Sequence, residues 1–520
     1  MKFLSARGIL PACIVSAATV AALVAPGAAN AALLTKCEGG NIGAAGSSLQ
    51  AEAQIKVWNI KFNTAPSTVL TACSGSQGSG AKPVVTYTST SSGKGFEAWN
   101  VKEEFGNDAF IGTDNTVNSV EKGELEAKGT KAAGGKVLTV PVLQGAVAVI
   151  INLPEGCEGA STAALHRLTL NQSTLEGIFA GTVTEWSSIT DDGDKIVQKA
   201  PVKVAKVATT EGSAVVTVVS KGFPGVRKGT TVTGTGIPAG TTVLSISGNS
   251  LTLSQAATKT VASDTLTFTF PVCNPNTPIT TVVREDGSGT THIFKRFLHW
   301  SNEGELTTAS GNFTWNQLSE GTKCGGVSCS TLWPTGVGAT KGAKGEGLVK
   351  KVAETPGSIG YANLADARNV EYGGYFAPPL GGEKTQSFWA ELENGPGTYA
   401  DPSSNKDTEK RASANCKSTE YSNGLASFPP PSVESTWNEV TTKQFSKTYA
   451  ICGLTYDLVL SNYKAYPGTT QGEATTVENY LAYMIDTKGG QKEVVNNDYL
   501  ALTSVILAKS KEALPLINWL

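Results

Sequence analysis

The run Gly145-Ala146-Val147-Ala148-Val149-Ile150-Ile151 lies inside a longer apolar stretch from Val137 to Leu153 and holds no side chain that prefers water. A strand of this kind must be covered on both faces, which points to a doubly buried strand of a parallel sheet. The chain supplies covering layers. Pro83-Val84-Val85-Thr86-Tyr87 and Ala109-Phe110-Ile111-Gly112 read as further strands. Ser48 opens a helical pattern through Ala51, Ile55, Val57, Trp58 and Phe62, with its hydroxyl as the expected N-cap. Leu175 to Phe179 begins a helix that stops before Gly181, and Thr476 to Leu520 is helical in pattern. Strands alternating with helices predict an α/β architecture.

Residues 203–271 break that rhythm. Four short β-type runs follow one another without a helix: Ala214–Val219, Thr241–Ile246, Ser250–Leu253 and Thr265–Phe270. Gly248-Asn249 sits between two of them as a two-residue hairpin turn. Thr233 to Gly240 reads as a turn region. The segment is expected to be a small all-β module inserted into the α/β chain, a structural or spacer part. A glycine- and serine-rich stretch over 380–435, including Pro429-Pro430-Pro431, predicts surface loops.

Residues 1–31 have the form of a secretory signal: Lys2 and Arg7, an apolar stretch from Ile9 to Val24, then Ala29-Asn30-Ala31 as the cleavage site. No later run reaches the ~18 apolar residues of a membrane span. With 42 Lys and Arg against 44 Asp and Glu, nothing in the charge suggests nucleic acid or an anionic membrane. The chain reads as a soluble exported monomer. Of nine cysteines, Cys13 leaves with the signal, and an even number in an exported chain argues for disulfides. Eight cysteines allow 105 connectivities. The pairing expected here is Cys37–Cys73, Cys157–Cys273, Cys324–Cys329 and Cys416–Cys452. A metal site lacks a C-x-x-C, and Cys324-x4-Cys329 has no matching partner. Leu34-Thr35-Lys36-Cys37 resembles a lipid-attachment box, but Lys36 is bulky and charged where a small residue is needed.

Searches for catalysis return little. G-x-S-x-G, H-E-x-x-H and Walker A sequences are missing. The three histidines, His166, His292 and His299, read as ordinary imidazoles. Ser91-Ser92-Gly93-Lys94 fits S-x-x-K, and Tyr361-Ala362-Asn363 echoes a penicillin-recognising motif, but no Lys-Thr-Gly follows. What recurs is a strand running into a Gly/Ser loop and then a helix: Gly46-Ser47-Ser48-Leu49, Ser89-Thr90-Ser91-Ser92-Gly93-Lys94-Gly95, and Asp286-Gly287-Ser288-Gly289-Thr290. Each offers backbone N–H groups and hydroxyls at a helix N-terminus, the arrangement that holds an oxyanion.

The third loop carries a resemblance. Val282-Val283-Arg284-Glu285-Asp286-Gly287-Ser288-Gly289-Thr290-Thr291 is similar to the R-x-D-G-S-G-T signature of the periplasmic phosphate-binding proteins of high-affinity phosphate ABC transporters. Further matches come in that family's order: Gly46–Leu49, the serine loop from Tyr87 to Gly95, and Phe110-Ile111-Gly112-Thr113-Asp114. Then come Pro141–Val147, Leu175–Gly181 with Thr184-Glu185-Trp186, and Pro356-Gly357-Ser358-Ile359-Gly360-Tyr361. The matches span nearly all of 37–520 apart from 203–271 and 380–435.

That resemblance implies a set of phosphate contacts. Ser48 and the amide of Leu49 match the first loop, Ser92 the second, and Asp114 the aspartate that accepts a proton from the ligand. Arg284, Ser288, Gly289 and Thr290 match the anion-binding turn, with Asp286 holding Arg284 in place. Ser89 and Ser91 stand where the family has glycines. Asp114 also has a physical rationale: phosphate at neutral pH carries a proton and sulfate does not. A buried carboxylate facing sulfate would meet lone pair with lone pair, and an unpaired buried acceptor costs about 1–3 kcal/mol.

The expected fold is a two-lobe, type II solute-binding protein. One lobe spans 37–140 and 450–520, the other 141–449 with the insert at 203–271, and hinges lie near Val140-Pro141 and Tyr449-Ala450. Phosphate between the lobes, no cofactor, and a membrane permease with its ATPase as partner are implied by the family. Three other readings stay open: an exported phosphatase on the same scaffold, a surface or adhesion protein acting through the insert, and another oxyanion such as sulfate or molybdate.

Overall fold

The computed structural model describes residues 39–64, 83–101, 108–133, 135–160, 168–191, 194–219, 222–319, 323–324, 327–369, 376, 387–405, 411–416, 430–437, 448–466 and 468–520. The signal-like segment, His166, Cys37 and Cys73 lie outside them. The other three expected disulfides, Cys157–Cys273, Cys324–Cys329 and Cys416–Cys452, are formed.

The fold is mixed α/β in two lobes that share one sheet. In chain order its main strands are β1 (Ile42–Gly46), β2 (Val85–Ser89), β3 (Phe110–Thr113), β4 (Val137–Asn152), β5 (Thr280–Arg284), β6 (Thr340–Gly342), β7 (Ser358–Asn363) and β8 (Cys452–Leu460). Their spatial order is β6-β5-β7-β4-β8-β3-β1-β2. Two helices start at polar loops of this sheet: α1 (Ser92–Val101) leaves the loop after β2, and α2 (Gly289–Ser301) leaves the loop after β5.

β4 is the seam. Val137 to Ala146 pair with β8, and Val147 to Asn152 pair with β7. Every residue of β4 is buried, as its apolar run requires. The expected parallel pairing is wrong: both neighbours run antiparallel to β4. An unbroken apolar run reports that both faces are covered, and it says nothing about strand direction. The parallel pairs lie outside the centre, between β1, β2 and β3 and between β5, β6 and β7. Opposite Thr455 and Tyr456 the register slips, leaving Val142 between the paired Pro141 and Leu143. Pro141 has no N–H to give, so a bulge here loses little. Gln491 Nε2 and Ser510 Oγ donate to the carbonyls of Val142 and Pro141 at 2.8 and 2.7 Å.

In its described residues the stretch 380–435 is not a run of surface loops. Among its described residues, Phe388, Trp389, Ala390 and Leu392 are buried, and Ser387–Trp389 adds an antiparallel strand against Ile150–Asn152 of β4. Buried aromatic anchors in a Gly/Ser-rich segment carry the packing that average composition conceals. Cys416–Cys452 then ties the segment to the start of β8.

Residues 202–269 form a six-stranded antiparallel sheet apart from the main one, with strands Val202–Thr209, Val215–Val218, Thr231–Thr233, Val243–Ser247, Ser250–Leu253 and Val261–Thr269. Gly248, at φ 55°, turns the expected hairpin. Val207, Val216, Val232, Leu251, Leu266 and Phe268 belong to a hydrophobic cluster separate from the main core. At the neck, Ile196–Gln198 pairs with Cys157–Gly159, and Cys157 is bonded to Cys273. Lys199 Nζ donates to Gly225 O at 2.8 Å and lies 4.1 Å from the Phe270 ring centroid.

Separate cores should melt separately. Phe268→Ala removes a buried aromatic and is expected to destabilise this sheet by about 3–5 kcal/mol. The sequence has no tryptophan between 202 and 269. Denaturant titration should therefore show an early loss of far-ultraviolet β signal with tryptophan fluorescence unchanged. Coincident transitions would contradict two independent cores.

Candidate anion-binding site

β1, β2, β3 and β5 each end at the same place in the fold, and each hands its chain to a polar loop there. After β1, Gly46 takes φ 136°, and a Cβ at this position would lie 2.1 Å from Gly112 O. Only glycine allows that approach, and it brings the first loop against the end of β3. Ser47 N donates to Gly112 O at 2.7 Å, and Ser47 Oγ donates to Asp114 Oδ1. The expected N-cap role of Ser48 is taken by Ser47, whose Oγ accepts from the amides of Leu49 and Gln50 at 3.0 and 3.4 Å. Ser48 is thereby released, and its Oγ accepts from Arg284 Nη1 at 3.2 Å. The Leu49 amide, expected to face the ligand, is spent on Ser47.

The second loop explains its own irregularity. Ser91 adopts φ 119°, a backbone region that favours glycine. Its hydroxyl accepts from Lys94 N at 3.4 Å, and Ser92 is the first residue of α1. Ser92 Oγ accepts from the Asp114 amide at 3.3 Å, which joins the loops after β2 and β3.

From the other lobe, Arg284 ends β5 fully buried. Its guanidinium is held bidentately by Asp286, with Nε to Oδ1 at 2.9 Å and Nη2 to Oδ2. Burial works against the charge on Arg284, but Asp286 overcomes it and raises the pKa above the ordinary arginine value. Burial also pushes Asp286 up, and pairing with Arg284 overrides that to hold it below the usual carboxylate range. Lys344 N donates to Asp286 Oδ1 at 2.9 Å. Tyr361 Oη, on β7, accepts from Arg284 N at 3.3 Å and bonds Thr291 Oγ1 at 2.7 Å. Its ring stacks on Phe294 at 4.4 Å.

Ser288 caps α2 by accepting from Thr291 N at 3.2 Å, and its own N–H goes to Ser330 Oγ at 3.2 Å. The next two amides, of Gly289 and Thr290, lie in the first turn of α2, where a helix offers them no acceptor. A Cβ on Gly289 would sit 2.6 Å from Asp114 Cβ and 2.7 Å from both Asn115 N and Ser92 Oγ. The glycine is what lets the lobes meet here. Gly93 N donates to Gly287 O at 3.0 Å beside it, and Asn363 Nδ2 donates to Leu49 O at 2.8 Å.

Asp114 lies at the centre. Burial raises its carboxyl to about 6, against lowering by the Ser47 and Thr455 hydroxyls, Arg284 and the Thr290 hydroxyl. Ser48, Ser92, Asp114, Arg284, Ser288, Gly289 and Thr290 are thus brought together, with Asp286 behind Arg284. Sequence reading missed Ser47 as the partner of Asp114, and Thr455, Tyr361 and Ser330 as supports. Ser47 was legible as the first hydroxyl after the tight glycine; Thr455 arrives from a strand with no motif. A second buried carboxyl, Asp366, lies against Gly345 and is pushed well above its ordinary range by burial and by Glu52 and Glu346. Among the described residues, no group of three His, Cys, Asp or Glu could hold a metal, and no helix is long and apolar enough to cross a membrane.

The raised Asp114 has a consequence for stability. A carboxyl whose folded pKa exceeds its unfolded value favours the folded state most at low pH, and that contribution is lost as pH rises from about 4 through 6. A shift of this size corresponds to about 3 kcal/mol. Asp114→Asn is expected to reduce the stability difference between pH 4 and pH 7 by about 2–3 kcal/mol, measured by chemical denaturation without ligand. Asp457 and Asp498, raised by burial to about 8 and about 6, leave a residual slope of the same sign.

No curated protein sequence matches the chain. Solved structures similar to it include a high-affinity periplasmic phosphate-binding protein, PfluDING, bound with phosphate, at 15 % identity over 91 % of this chain and 93 % of that one, with a TM-score of 0.48. A phosphate-binding protein from Stenotrophomonas maltophilia has 15 % identity over 90 % and 92 %, with a TM-score of 0.49. A human phosphate-binding apolipoprotein has 16 % identity over 91 % and 94 %, with a TM-score of 0.49. The sequence profile of the PBP superfamily domain matches residues 60–487, most of the chain. The chain belongs to the PBP superfamily.

Proposed function

We propose that this protein is an exported solute-binding protein that captures inorganic phosphate between its lobes and delivers it to a membrane permease with its ATPase. The observation that carries the reading is the meeting, at one buried point, of the α2 N-terminus, the Ser48 and Ser92 hydroxyls and the Arg284 guanidinium around the carboxyl of Asp114. The first groups donate to an oxyanion. Asp114 accepts, and only an oxyanion that still carries a proton can satisfy it. That combination favours phosphate over sulfate. It also favours binding over hydrolysis, because every polar group of the site either donates to a ligand oxygen, accepts the ligand's proton or holds a donor in place. In this reading no bond is broken and no cofactor takes part. The proposed contacts are Ser48, Ser92, Asp114, Arg284, Ser288, Gly289 and Thr290, with Asp286 orienting Arg284; the expected contact from the Leu49 amide drops out because that amide donates to Ser47 Oγ. The lobes would divide as 37–140 with 450–520 against 141–449, moving about hinges near Val140-Pro141 and Tyr449-Ala450.

Calorimetric titration of the purified chain, stripped of anion, tests this. The wild type is expected to bind phosphate tightly and to exclude sulfate, and Asp114→Asn to lose that discrimination. A folded wild type giving no phosphate heat would sink the reading. Arg284→Ala leaves Asp286 buried without its partner and should weaken phosphate by about 2–5 kcal/mol, some thirty- to several-thousand-fold. Ser92→Ala removes one hydrogen bond to a charged ligand and should cost about 1.5–3 kcal/mol, some ten- to over a hundredfold.

A further inference from the structure

Lys295 lies in the middle of α2 with its side chain fully buried. Its Nζ donates to three main-chain carbonyls, Cys329 at 3.3 Å, Ser330 at 2.9 Å and Leu332 at 2.5 Å, and stands 4.1 Å from the Trp333 ring centroid. No carboxylate of the described residues lies within salt-bridge distance. Three acceptors match the three N–H groups of an ammonium, whereas a neutral amine has two N–H groups and a lone pair that would face a carbonyl. Burial pushes the Nζ pKa well down. The charge therefore calls for a counter-ion, and none of the described residues places one beside it.

Two features connect Lys295 to the anion site. It comes five residues after Thr290, about 7–8 Å along the same helix. The segment it grips also buttresses the anion-binding turn: Ser330 Oγ accepts from Ser288 N at 3.2 Å, and Ser328 Oγ bonds Ser330 Oγ at 3.0 Å. We propose that Lys295 is a positioning residue of the anion site, holding Cys329–Leu332 against the Ser288 turn and supplying from behind α2 a buried positive charge whose counter-ion is the bound ligand. This rests on the phosphate-binding reading.

The charge is separable from the grip, because only the charge responds to the ligand's own charge. Phosphate is mostly a monoanion at pH 6 and a dianion at pH 8. A unit charge at this range in the protein interior is worth about tenfold in affinity for a monoanion and about a hundredfold for a dianion. Other charged or titratable groups on α2 and the elements packed against it are few: His292, Arg296 and His299 on α2, the last paired with Glu303 just beyond it, Glu176 on the helix Gln172–Ala180, and Tyr361 on β7. Asp114, Arg284 and Asp286 lie at its start. All are shared by wild type and variant, and His292, pushed down to about 3 by burial, stays neutral throughout.

Lys295→Met is therefore expected to raise the phosphate Kd about tenfold at pH 6 and about a hundredfold at pH 8. An equal factor at both pH values, or no change, overturns the proposal. Where the variant fails to fold, the wild type answers by nitrogen NMR of the Lys295 amine. The phosphate-loaded protein should show an ammonium with slowly exchanging protons, and a neutral amine there overturns the proposal. A wild type that binds no phosphate at all overturns the functional reading as well, whereas normal binding with an equal loss overturns this inference alone.

Discussion

The structure is organised around a carboxyl group and a guanidinium that are both out of water and face the same point. A buried ion survives only if it is paired and hydrogen-bonded. Arg284 is satisfied by two oxygens of Asp286, and the third corner of its fork goes to Ser48 across the interlobe boundary. Asp114 is treated differently. Hydroxyls surround it and, among the described residues, no guanidinium or ammonium bonds it directly, so burial dominates and its pKa rises to about 6. One ion is locked in its charged state, and the other is left able to hold or release a proton near neutrality. That asymmetry distinguishes an anion trap from a structural salt bridge.

The scaffold answers the same requirement. A site assembled from two lobes needs a connection shared by both, and β4 provides it by exchanging partners between Ala146 and Val147. Asn363, opposite Val147, donates to Leu49 O, as does Tyr499 Oη at 2.7 Å, from opposite Gly145. The first anion loop is thus held from behind by residues paired to either side of that exchange. A second charged cluster lies close by. Arg368 Nε donates to Asp498 Oδ1 at 2.9 Å, while Arg411 bonds Glu52 at 3.2 Å and reaches Asp498 at 3.6 Å.

Much of this is legible in the sequence, and what is not has identifiable causes. The loops after β1, β2 and β5 can be read because the chemistry of a helix N-terminus is local: glycines, hydroxyls and one arginine within ten residues. Asp114 can be read because it comes after a strand in the family's order. Strand direction in β4 cannot, since burial of an apolar run is the same in both senses. The cap lies at Ser47, one residue before its expected position, because adjacent serines are equivalent in sequence and are told apart only by the turn at Gly46. The segment 380–435 reads as superficial because its composition is dominated by small residues, while its packing depends on Phe388, Trp389 and Leu392. Supports such as Thr455 and Lys295 act through tertiary contacts across the fold, and no spacing rule brings them forward.

The central claim is that a protonated oxyanion sits between the α2 N-terminus and Asp114. Crystallography of the phosphate-loaded protein at near-atomic resolution tests it most directly. The account predicts a phosphate whose oxygens meet the Gly289 and Thr290 amides and the Arg284 guanidinium, with one oxygen at about 2.5–2.7 Å from an Asp114 carboxylate oxygen, as expected for a strong O–H···O bond. Phosphate bound elsewhere, or bound here with Asp114 turned away and sulfate accepted in the same pose, would contradict it.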